Sequence, residues 1–201
     1  MKFYRQLAVF LIASGLIVGV TSGLPKPPIY SPTPTQASPI TYAIPAQIQP
    51  IVQDLGIDPA FLSQAEVIVG DTSLCGPSDL KDEAACSVSS TPFKIIIPES
   101  TIQLPYYQHN ALFAHEYLHY VWDTMSVADQ NALLPYIDEV YKANATYLNE
   151  RLSGYTLTDA QRSNELHSYI GTELPDSYLP APLLAHYQHY LPNRTALPSW
   201  N

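Results

Sequence analysis

Hydrophobic positions change their spacing partway along this chain. Two short β-branched runs, residues 65–69 (AEVIV) and 93–97 (FKIII), are bounded by proline or turn signals, which predicts strands. Residues 109–123 then run without proline or glycine and are apolar nearly all round, through Leu112, Phe113, Tyr117, Leu118, Val121 and Trp122. Such a stretch predicts a buried helix. Ser126 with Asp129 three residues on has the spacing of a helix-opening cap, and Thr158 with Gln161 repeats it. The first opens a helical region that Pro135 is expected to kink or divide and Gly154 to end. The second opens a helix that runs to about Glu173, ahead of Pro175. Pro182 suits the first turn of a short helix through Tyr190. Strands followed by helices predict an α+β class, with a short β-sheet, then the buried helix, then a helical C-terminal half.

The same pattern marks the N-terminus. Lys2 and Arg5 precede residues 7–23, which carry no charge, and the stretch 7–20 has the length of a signal-peptide apolar region. The uncharged run extends over residues 6–25, which just reaches a membrane-spanning helix. Residues 1–23 are therefore read as an N-terminal membrane anchor or a cleaved signal peptide. Either places residue 24 onward outside the cytoplasm, at the cell surface or secreted. Residues 24–50 are rich in Pro, Ser and Thr and nearly free of charge, the composition of a semi-rigid spacer. The globular domain is expected over 51–201.

Composition narrows the function. Of 201 residues, 46% are hydrophobic and 13% charged, enough for one packed core and against wholesale disorder. Lys2 and Arg5 are two of only nine basic residues, facing 18 acidic ones, so the folded part repels phosphate backbones. A nucleic-acid role is excluded on that ground. Cys75 and Cys86 are the only cysteines and follow an export signal, so a disulfide is expected between them.

Within the buried helix stands His115-Glu116-Tyr117-Leu118-His119, an H-E-x-x-H string. Residues four apart share a helix face, so both imidazoles can reach one ion. Glu116 is rotated about 100° from His115, which suits a carboxylate beside the ion better than a further ligand. Two histidines and a carboxylate on an otherwise apolar helix must be paired or bound to metal, because unpaired buried polar groups are costly. Catalytic zinc commonly takes three protein ligands, so a third is required. The metzincin continuation is absent, since the chain reads HEYLHYVWDTM.

Downstream, Asn164-Glu165-Leu166-His167-Ser168-Tyr169-Ile170-Gly171-Thr172-Glu173 resembles the second-helix motif of thermolysin-like gluzincins, N-E-x-x-S-D followed by I-F-G-T. The resemblance covers the two helices only. It implies a small zincin-like metallopeptidase domain, one catalytic Zn2+ held by His115, His119 and Glu165, and Glu116 as general base for the attacking water. Tyr169 stands where that family has an aspartate that orients the first ligand histidine, so His115 must be oriented by another group. Gluzincins also present a Tyr, His or Arg to the developing oxyanion, and His186, Tyr187, Tyr190 and Arg194 are the candidates. Helix position adds to the choice of Glu165. Glu173 lies at the end before Pro175, and His167 is rotated about 200° from Glu165.

The expected function is thus an extracytoplasmic zinc metallopeptidase acting on peptides or proteins, tethered through its N-terminal segment or secreted. By analogy, strand 93–97 is expected to lie at a sheet edge and hold an extended peptide by strand addition. The alternative is a catalytically silent zinc-binding surface protein. The string also resembles H-E-x-D-H of peptide deformylase, but Leu118 replaces the Asp and that family's other motifs are missing.

Overall fold

Local signals account for most of the elements. The structure, a computed structural model, describes residues 41–71, 73–75 and 85–197. The expected anchor or signal and the spacer up to residue 40 lie outside the described residues. Helix α1 (Gln49–Leu55) has a proline in its first turn and stops on Gly56, whose φ of 68° is left-handed and suits glycine. Helix α2 (Pro59–Leu62) opens where the Asp58 side chain accepts from the Ala60 N–H. Strands β1 (Glu66–Val69), β2 (Cys86–Val88) and β3 (Lys94–Ile97) follow, then α3 (Glu99–Ile102) and α4 (Tyr106–Thr124). The C-terminal half is α5 (Val127–Ala143), α6 (Ala145–Leu152), α7 (Asp159–Glu173) and α8 (Ala181–Tyr190). The α+β class stands. No helix among the described residues is long and apolar enough to cross a membrane.

Three boundaries differ from the sequence expectation. The packed chain starts before residue 51: Ile48 is fully buried and Ile44 packs on the core. Isolated isoleucines among prolines were masked by the spacer-like composition around them. Pro135 lies inside α5 and does not divide it. It is exposed, as is Asn131 four residues earlier, so the carbonyl that loses its N–H partner can be hydrated. The helix breaks instead at Asn144, whose side-chain amide donates to the Val140 carbonyl at 2.9 Å. Gly154 lies two residues beyond the end of α6.

The sheet order is β1-β3-β2, with β1 parallel and β2 antiparallel to β3. Strand β3 is therefore central, and the expectation that 93–97 offers a free edge is corrected. Three residues of β2, one of them the cysteine of a disulfide, were too short a run to read as a strand. Alternation along β3 divides two cores. Ile95 and Ile97 join the main cluster, whereas Ile96 meets Cys75 and Cys86 on the other side. Those cysteines are bonded to each other.

Helix α4 packs against β2 and β3 and most extensively against α7. Burial from several directions explains why its sequence is apolar nearly all round. Phe113, Leu118 and Val121 are fully buried, each contributing roughly 1.5–3 kcal/mol of transfer free energy. A close approach lies at Gly171 of α7. A Cβ there would lie 2.4 Å from Leu118 Cδ1 and 2.6 Å from Tyr187 Cε1. Helix α8 thus meets α4 and α7 at one glycine.

Gly171→Ala is expected to lower stability by about 1–3 kcal/mol through overpacking. Gly154→Ala, where a Cβ meets nothing within 4 Å, is expected to be neutral or stabilising by up to about 1 kcal/mol. Urea unfolding of the two variants gives the comparison, and equal midpoints would refute the close-approach argument.

Candidate metal centre

His115 and His119 lie one turn apart on α4 with ring centroids 4.8 Å apart. Their Nε2 atoms are 3.1 Å from each other. Glu165 of α7 brings Oε2 to 3.5 Å from His115 Nε2 and 3.7 Å from His119 Nε2. Tetrahedral ligands at bonds of about 2.0–2.1 Å are roughly 3.3 Å apart, so the three spacings suit one ion. Among the described residues these three form a group of donors able to hold a metal, all within 4.8 Å of one another.

Glu165 itself argues for a cation. Its Oε2 is buried and has no hydrogen-bond partner, although both imidazoles face it. Burial pushes the carboxyl upward, but His115 and His119 outweigh it, and the net effect holds Glu165 below the usual carboxylate range. A carboxylate kept ionised beside two imidazole nitrogens is a mixed N/O donor set that fits zinc.

The string that contains Glu165 also orients one of the histidines. His119 Nδ1 is 2.8 Å from Asn164 Oδ1 and 3.2 Å from Ser168 Oγ. An Nδ1–H donating to Asn164 leaves the Nε2 lone pair facing Glu165 and His115. Asn164 and Ser168 are four apart on α7 and so share the face that carries Glu165. Thr172 fixes this turn, its hydroxyl donating to the Ser168 carbonyl at 2.8 Å. In the sequence Asn164 and Ser168 stand out only as letters of a motif, and their contact with His119 comes from the packing of α7 on α4. On His115 the neighbour is different: the Tyr169 ring lies 4.5 Å away, centroid to centroid. Glu116 is buried on α4 and stands outside the three-donor group.

The other two acidic or basic candidates on α7 are engaged elsewhere. Glu173 accepts from Tyr147 Oη at 2.5 Å and from Arg151 Nε at 2.8 Å. His167 Nε2 is 2.8 Å from His186 Nε2, on the side of α7 away from Glu165.

The four oxyanion candidates are engaged in contacts of their own. His186 is fully buried in that pair with His167, and Tyr187 Oη donates to the His167 carbonyl at 2.8 Å. Arg194 closes the C-terminal end of α7, donating from Nε to the Gly171 carbonyl at 2.7 Å and from Nη2 to the carbonyls of Ile170 and Leu174. It also pairs with Asp176. Its donors thus answer helix-end carbonyls that would otherwise be orphaned. Tyr190 packs on Phe61, which in turn lies against Tyr117 and Tyr120. Tyr117 is about 200° round α4 from His115, so this cluster is on the far side of the helix from the ligands.

In comparisons with known proteins, no family, no curated protein and no solved structure matches the chain.

Two outcomes follow from this geometry. Glu165→Ala should severely weaken metal binding by the full chain, whereas Glu173→Gln should retain it; zinc titration against a chelator decides. Burial lowers His186 to about 3, against about 6.5 in the unfolded chain. Below pH 6.5 the unfolded state therefore binds the extra proton, and stability present above that pH is lost as pH falls toward 3. The contribution is about 1.4 kcal/mol per pH unit. Urea midpoints of the metal-free protein between pH 7 and pH 5 should fall with that sign, and His186→Gln should make the slope shallower without abolishing it, because His167 is buried and held down as well.

Proposed function

We propose that this chain is an extracytoplasmic zinc-dependent metallopeptidase with a minimal zincin-like domain. The observation that carries the reading is the convergence of His115, His119 and Glu165 from two packed helices, with His119 oriented through Asn164. The Cys75–Cys86 disulfide supports an oxidising compartment.

A zinc ion in this site supplies a Lewis acid for the scissile carbonyl and lowers the pKa of water. The protein's own residues do the rest. His115, His119 and Glu165 hold the ion and, between them, contribute one negative charge. Asn164 and Ser168 keep the His119 ring from turning. Glu116, buried next to a ligand but outside the donor group, takes the proton of the attacking water and passes it to the leaving amine. A buried carboxylate serves this purpose because few waters compete for it. With β3 central, the outer strands among the described residues are β1 and β2, and an extended substrate would add to one of them.

Glu116→Gln should leave zinc content close to one ion per chain while lowering hydrolysis of an unfolded protein substrate by about two decades or more. Metal analysis and a cleavage assay on the same preparation check this. Loss of zinc together with activity would assign Glu116 to binding or folding instead of proton transfer.

A further inference from the structure

The two histidines are held in different ways, and that difference has a functional reading. His119 has two polar neighbours at Nδ1, Asn164 Oδ1 at 2.8 Å and Ser168 Oγ at 3.2 Å. No described side chain makes a hydrogen bond to His115 Nδ1. What meets the His115 ring is Tyr169, with centroids 4.5 Å apart and planes inclined by 59°. A ligand histidine with nothing to fix its ring can rotate about χ2 and lose its aim at the ion.

We propose that Tyr169 is the positioning residue of His115, and that its aromatic ring does the work usually done by a hydrogen-bond acceptor. This rests on the metal-site reading above. Placement supports it. Tyr169 is four residues after Glu165, so ligand and positioning ring share one face of α7. The same face carries Asn164 and Ser168, four residues apart, against the other histidine. One helix face thereby supplies a ligand and orients both of the others. The far end of the Tyr169 ring is steadied by Tyr155, whose hydroxyl is 3.5 Å from its own. Tyr155 comes from the segment between α6 and α7, so the ring is anchored from outside its helix. An aromatic face favours one tilt of the imidazole without accepting its proton. It leaves the site one negative charge poorer than a carboxylate would.

The test uses the full chain and zinc itself. Tyr169→Ala and Tyr169→Leu should weaken zinc affinity, read by chelator competition, by roughly 10- to 100-fold, the scale for loss of an outer-sphere partner. Tyr169→Phe should bind as the unsubstituted chain does. Visible absorption of the cobalt-loaded forms is the second readout: Tyr169→Phe keeps the parent spectrum and Tyr169→Leu does not. The leucine keeps apolar bulk, so it decides the matter if the alanine variant fails to fold. Full zinc affinity in Tyr169→Leu would overturn the inference alone, as would a Tyr169→Phe variant as weak as Tyr169→Ala, which would assign the role to the hydroxyl. An unsubstituted chain that takes up no zinc would overturn the metal-site reading itself, and this inference with it.

Discussion

The structure depends on how closely α4 and α7 can approach. Two donors of the candidate metal group stand on one helix and the third on the other, so the distance from Glu165 to the histidines is set by the spacing of the helix axes. That spacing is permitted by Gly171, where any side chain would enter Leu118 and Tyr187. Interiors packed to crystal-like density transmit such displacements and do not absorb them. A few tenths of an ångström at Gly171 would therefore appear six residues away as a mis-set carboxylate. Tyr187 serves the same joint twice, its ring packing under Gly171 and its hydroxyl donating to the His167 carbonyl.

The site joins opposite electrostatic demands. Glu165 is kept ionised although burial opposes it, because two imidazoles face it. Two residues on, on the other side of α7, burial holds His167 well below its usual range, with His186 adding to the shift. Around this turn of α7 the carboxylate thus faces α4's histidines, while the histidine on the other side is held neutral. Within a low-dielectric interior that separation strengthens the attraction of the charged face for a cation.

Legibility from sequence followed locality. Helix α7 was readable at both ends because Thr158 and Gln161 form a reciprocal cap and Pro175 follows Glu173. The H-E-x-x-H face was readable because the spacing alone places two side chains together. Strand β2 was not, because a three-residue strand is defined by its pairing to β3 and carries little pattern of its own. Its invisibility made β3 look like an edge. The same limit applies to the contacts of Arg194, His186, Tyr187 and Tyr190. A cluster of polar side chains late in the chain has the composition of a site, and only tertiary packing reveals that Arg194 answers the carbonyls at the end of α7. Pro135 erred the other way, since its penalty depends on whether the freed carbonyl faces water.

Arg194 also bears on when the site can exist during synthesis. The donors of the metal group all lie at or before residue 165, and α7 is complete by residue 173. Yet the carbonyls of Ile170 and Gly171 acquire their side-chain donor only once residue 194 has left the ribosome. Helix α8, which fills the space beneath Gly171, arrives in the same interval. A nascent chain therefore carries its histidines and carboxylate for some twenty residues of elongation before the helix that holds them is fastened. The three-donor group is thus fastened only near the end of translation.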